Sequence, residues 1–251
     1  TLYVGAEGTS IYKSEDDGDT WRLLDVPAPT GLVRMGFPTR VVRLAHDPAN
    51  PDEIYAGLEV GGVVRSFDGG ESWTDCSAHL IELSHQDHLR SRIGSDTDAE
   101  GMLDSHALVV SAARPGTVLL ANRMGLFRSD DKGDHWAPMD IGRFSELTYA
   151  RDLKVSPHDP NTLFGAFSIS ANSLQGSLYR SGNLGESWTR FDHDVSIEST
   201  LMIIAASAET PDRVYCAARR GQVFGTEDGG ANWREYPLPD GIQGVYALAC
   251  A

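Results

Sequence analysis

The densest run of side chains able to do chemistry lies between Cys76 and His106. It holds His79, Glu82, His85, Asp87, His88, Arg90, Arg92 and Asp104, so four of the eight histidines fall within or at the end of this one stretch. His85 and His88, three residues apart with Asp87 between them, and the more distant His106 are donors of the kind that hold a divalent metal ion. Water on such a metal is a nucleophile near neutral pH. The same residues also suit a solvated polar lid whose histidines bond locally. Cys76, at the start of the stretch, is a candidate thiol nucleophile, although nothing near it in sequence would favour the thiolate.

A second set emerges when the chain is aligned against itself. Glu7, Glu59, Arg123, Ser168 and Arg219 then take one equivalent position, and His106 and Arg151 take another, with Arg40 close by. Arg40, Arg123, Arg151 and Arg219 can clamp an anionic group through bidentate contacts, while His106, Glu7 and Glu59 are acid or base candidates. Paired with one another, the same residues would line a wet channel as salt bridges and do no chemistry.

The elements that must position these residues come from the repeat behind the alignment. Ser14, Asp16, Gly18 and Trp21 define a pattern S-x-D-x-G-x-x-W that returns at 66–73, 129–136, 181–188 and 226–233, with Asn183 in place of Asp and Thr226 in place of Ser. All five tryptophans end a copy. A period of about fifty residues marks a repeat architecture. The short side chains accept bonds from nearby backbone N–H groups and glycine accepts the positive φ of a tight turn, so each copy reads as a hairpin with a tryptophan plug.

A β-prone run precedes each turn, and two further strands precede that run. The first strands are 40–45, 107–111, 153–156, 201–205 and 244–249; the second are 54–57, 118–121, 163–166, 214–217 and, at the start of the chain, 2–5. Pairing 244–249 with 2–5 would complete a fifth blade from both ends and close the ring, which removes exposed sheet edges. The expected fold is thus all-β: one five-bladed β-propeller of four-stranded blades over 1–251, with a long loop insertion at 76–105.

These motifs resemble the Asp-box (BNR-repeat) β-propellers, a group that includes sialidases, sortilin-type domains and the photosystem II assembly propeller. The resemblance implies that the repeated turns are structural and lie away from the central channel. It also implies carbohydrate hydrolysis as the commonest activity, and a partner-binding scaffold as the non-catalytic counterpart.

A net charge of -15 argues against a phosphate-backbone binder. No long apolar run or signal-peptide pattern is visible, and three cysteines at unrelated spacings suit reduced thiols, so a cytoplasmic location is expected. A Gly-rich phosphate loop and a G-x-S-x-G elbow are both absent. The sequence therefore leads to a hydrolase or lyase acting on a small anionic or polar organic molecule, with or without a divalent metal. The alternative is a scaffold that binds a protein partner, with Leu80, Ile81, Leu83, Leu89 and Ile93 as the candidate contacts, residues that could equally fold inward as a lid. Oligomeric state is not legible.

Overall fold

The computed structural model describes residues 1–242 and 244–250. Strands β1 (Leu2–Gly5), β2 (Ile11–Ser14) and β3 (Arg22–Leu23) form a three-stranded sheet. The second sheet has four strands, β4 (Val41–Asp47), β5 (Asn50–Leu58), β6 (Gly62–Ser66) and β7 (Thr74–Asp75). The third runs β8 (Ser105–Val110), β9 (Val118–Asn122), β10 (Gly125–Ser129) and β11 (Ala137–Pro138). The fourth is β12 (Tyr149–Val155), β13 (Leu163–Ser168), β14 (Gly176–Ser181) and β15 (Thr189–Arg190), and the fifth β16 (Leu201–Ala206), β17 (Val214–Ala218), β18 (Val223–Thr226) and β19 (Arg234–Glu235). Every pairing is antiparallel and between neighbours in sequence. The first three sheets belong to one compact unit, Thr1–Pro138, and the last two to a second beginning at Met139. Among the described residues no helix is long and apolar enough to cross a membrane.

The five repeated turns share one hydrogen-bond pattern. The hydroxyl of Ser14 accepts the Gly18 N–H at 2.8 Å, and Ser66, Ser129, Ser181 and Thr226 do the same for Gly70, Gly133, Gly185 and Gly230. Asp16 Oδ1 accepts the Thr20 N–H at 2.9 Å, matched by Asp68 with Ser72, Asp131 with His135, Asn183 with Ser187 and Asp228 with Asn232. Gly18 stands at φ +100° and Gly133 at +96°, a conformation that L side chains rarely adopt. The Trp21, Trp73 and Trp188 indoles each donate to the carbonyl of their own turn glycine. Trp136 instead donates to Cys76 O at 3.1 Å, tying the third turn to the start of the insertion.

Two expectations need correction. Residues 244–249 carry no strand, so the sheet that begins with β1 has three strands rather than four. Val245 and Leu248 pack instead against Ile203, Ala217 and Val223. The Gly5 end of β1 is met by residues 39–41, where the Gly8 N–H donates to Thr39 O at 2.7 Å and the Val41 N–H to Ala6 O at 2.9 Å.

The insertion, read from sequence as a loop, contains helices α1 (Ala78–Leu83) and α2 (Glu100–Leu103) with a 3-10 turn, Asp87–Leu89, between them. Leu80, Leu83, Leu89, Met102 and Leu103 are buried in one cluster with Leu120 and Phe127, and Ile81 packs against it. Of the apolar residues offered as a docking face, Ile93 alone is exposed. A fully buried carboxylate, Glu100 at the start of α2, anchors the segment before it: it accepts N–H bonds from Ile93 (2.8 Å), Gly94 (2.9 Å) and Ser95 (3.0 Å). Burial works to raise its pKa, but those bonds and the Ser95 hydroxyl outweigh it and hold the carboxyl below its ordinary value.

Candidate functional site at one end of the sheets

Each four-stranded sheet carries an irregularity at the same register of its first strand. In β4, Val41 pairs with Leu58 and Arg43 with Gly57, which leaves Val42 as an extra residue. In β8 the extra residue is His106, in β12 Arg151 and in β16 Met202. Such a bulge bends the strand and re-aims the side chains around it. His106 and Arg151 are therefore equivalent, as expected from sequence. Arg40 is not their counterpart: it stands two residues before Val42 and shares its position with Asp104, two residues before His106. The second strands keep the expected equivalence, because Glu59, Arg123, Ser168 and Arg219 each follow the partner of the residue before the bulge.

In the first unit this register brings opposite charges together. Arg40 Nε lies 3.1 Å from Glu59 Oε2, and the Glu59 N–H donates to Arg40 O at 2.9 Å. Glu7 faces Arg40 across an isolated antiparallel bridge, beside a cavity of about 410 Å³ lined by Glu7, Thr39 and Arg40. One sheet further on the signs reverse. Asp104 Oδ2 accepts from Arg123 Nε at 3.1 Å and lies 3.4 Å from His106 Nε2. The second and third sheets meet here, since a Cβ built on Gly57 would stand 3.3 Å from Ser105 Cβ and the Ser105 hydroxyl donates to Gly62 O at 2.9 Å.

The side chains differ sharply in exposure. Arg40 is 65% exposed, whereas His106 is 2% and Asp104 11% exposed. Burial pushes the Asp104 pKa up, but the His106 contact and the Arg123 guanidinium more than offset this and hold it below the ordinary carboxylate value. Asp104 is thus a shielded, ionised carboxylate at neutral pH. In sequence Asp104 stands out only as part of the insertion, although its register match with Arg40 marks it.

The remaining candidates lie elsewhere. Arg151 sits half-buried on the bulge of β12, next to the buried Asp152, which accepts the Ile204 N–H at 2.9 Å. Arg219 donates to Ala171 O (2.6 Å) and Asn172 Oδ1 (2.7 Å), so its guanidinium braces a loop. His85 and His88 are exposed, and among the described residues no three His, Cys, Asp or Glu side chains gather as a metal ion requires. Cys76 is buried, and burial pushes its thiol up to about 12, which leaves it protonated and a poor nucleophile.

No family model matches the chain. Among curated proteins, xyloglucanase Xgh74A of Acetivibrio thermocellus is 22% identical over 219 residues, which covers 76% of this chain and 25% of that protein. The xyloglucanase of Hypocrea jecorina is 23% identical over 254 residues, covering 89% of this chain and 28% of that protein. The chain thus spans about a quarter of the length of these relatives. Among solved structures, the GH74 xyloglucanase from Xanthomonas campestris aligns with a TM-score of 0.66 at 17% identity, over 90% of this chain and 34% of its own. The GH74 enzyme of Niastella koreensis gives 0.64 at 17% identity, over 92% and 34%. These likenesses support a propeller fold built of antiparallel blades.

Proposed function

We propose that the chain is a β-propeller module of the Asp-box group that hydrolyses glycosidic bonds in xyloglucan or a related polysaccharide. The observation that carries this reading is the pair of carboxylates, Glu59 and Asp104, at the same end of two sheets that meet at Gly57 and Ser105. Glycoside hydrolysis needs two carboxyl groups flanking the scissile bond, one to protonate the leaving oxygen and one, ionised, on the opposite side of the sugar.

Asp104 has the character of the ionised member, acting as a base toward water or directly on the sugar, and Arg123 and His106 position it. Glu59 is the second carboxyl group, with Glu7 the alternative across Arg40, and it takes the proton-donor role only when substrate opens its ion pair with the exposed Arg40. Xyloglucanase relatives supply the substrate class. The test is release of reducing ends from xyloglucan by the purified chain and by its Glu59→Gln and Asp104→Asn variants. Release that both variants leave intact would remove these residues from catalysis, and no release at all would sink the reading.

A further inference from the structure

The turn between second and third strands is short in the second and third sheets, 59–61 and 123–124, but in the fourth it runs over 169–175. This longer turn is braced. Thr200 Oγ1 lies 3.0 and 2.9 Å from the Ser170 and Ala171 carbonyl oxygens and accepts the Ser173 N–H at 3.0 Å, while Arg219 holds Ala171 and Asn172. Its last residues, Leu174 and Gln175, line an open cavity of about 610 Å³ together with segments 144–147 and 196–198, within the range of small-ligand sites.

Arg190 lines this cavity and is fixed from behind. Its Nε donates to Asp192 Oδ1 at 2.9 Å; that oxygen also accepts the Ser177 hydroxyl at 2.6 Å, and Asp192 is fully buried. Asp192 therefore offsets the Arg190 charge. Two exposed carboxylates, Glu146 and Glu198, remain on the rim and disfavour an anionic ligand. Carboxylates accept from hydroxyls, Gln175 and Arg190 donate, and Leu174, 70% exposed, offers an apolar face. That donor set matches a neutral, hydroxyl-rich chain with C–H faces.

We propose that this cavity in the second unit binds a neutral oligosaccharide. The choice of a sugar over other neutral polyols rests on the hydrolase reading above. The experiment is calorimetric titration of the Glu59→Gln/Asp104→Asn protein with a xyloglucan oligosaccharide, with an oligogalacturonide as the charged control. Adding Glu146→Ala/Glu198→Ala, or separately Leu174→Asp, is expected to weaken one binding event by about tenfold or more. All three positions are exposed, so the fold survives the change. Titrations indifferent to these substitutions, no binding at all, or equal binding of the oligogalacturonide would overturn the proposal. Binding that responds to them in a protein whose parent releases no reducing ends would sink the hydrolase reading and leave the cavity standing. Hydrolysis by the parent with unresponsive titrations would do the reverse.

Discussion

The two ends of the sheets repeat different things. At the turn end, the bond from a hydroxyl to the turn glycine and the bond from an Asp or Asn oxygen to the backbone return five times, including the 2.8 Å contact from Ser14 to Gly18 and its 2.7 Å copy from Ser129 to Gly133, and the indole-to-glycine bond returns in three of the five copies. At the other end the backbone register repeats, but the side chains on it do not. Arg40 with Glu59 becomes Asp104 with Arg123, and the extra residue changes from Val42 to His106, Arg151 and Met202. Uniform chemistry at one end is what a structural requirement leaves behind; varied chemistry on a fixed frame is what a site needs.

The strongest way to break this comparison is to exchange function between the ends. We expect Asp104→Asn to lower polysaccharide hydrolysis by about 10²- to 10⁴-fold, the range of a lost acid–base group, while Asp68→Asn, at the turn end, leaves the rate unchanged. Equal losses from the two variants, measured as reducing-end release, would abolish the distinction. Next in size is Trp136→Ala, which removes a side chain 2% exposed and with it the bond to Cys76 O; denaturant unfolding should register about 3–5 kcal/mol. Trp21, 41% exposed, should cost far less when replaced the same way, which sharpens the differences hidden within one motif.

Smaller still is Ser129→Ala, which leaves the buried Gly133 N–H without its acceptor and should cost about 1–3 kcal/mol by the same measurement. The subtlest test uses pH. Bonds to Thr20 lower Asp16 from an ordinary 3.8 to about 2, and bonds to Ser72 do the same for Asp68. A carboxylate depressed in this way stabilises its turn fully above about pH 4, and the contribution is lost as pH falls through about 2. Hydrogen exchange should then show the Thr20 and Ser72 N–H groups losing protection across that window. Ser187, bonded to the non-ionising Asn183, should keep its own, and an Asn183→Asp variant should make it follow the others.

The fold was legible because the turn residues are local. Ser66, Asp68, Gly70 and Trp73 lie within one hairpin, so their spacing in sequence is also their geometry. The equivalence of His106 and Arg151 was readable for the same reason. Arg40 lies two residues before the bulge, close to that position, and apolar alternation does not reveal the extra residue that sets the exact register. The insertion was misjudged because its order comes from contacts between segments, such as Glu100 with Ile93 and Leu103 with Phe127, rather than from any repeat. Residues 244–249 have the composition of a strand, yet strand formation depends on a partner edge, and in this structure Val245 and Leu248 pack onto the fifth sheet while Tyr246 stays exposed.

The extra residue in each first strand has a consequence for how such a protein changes. Because pairing is fixed on either side, at Ser105 with Asn122 and Ala107 with Ala121, the residue between is released from the ladder's demands. Valine, histidine, arginine and methionine occupy that place in four sheets of one chain without disturbing their neighbours. It behaves as an interchangeable socket, where a designer or a lineage can install a new reactive group while leaving the scaffold's assembly instructions untouched.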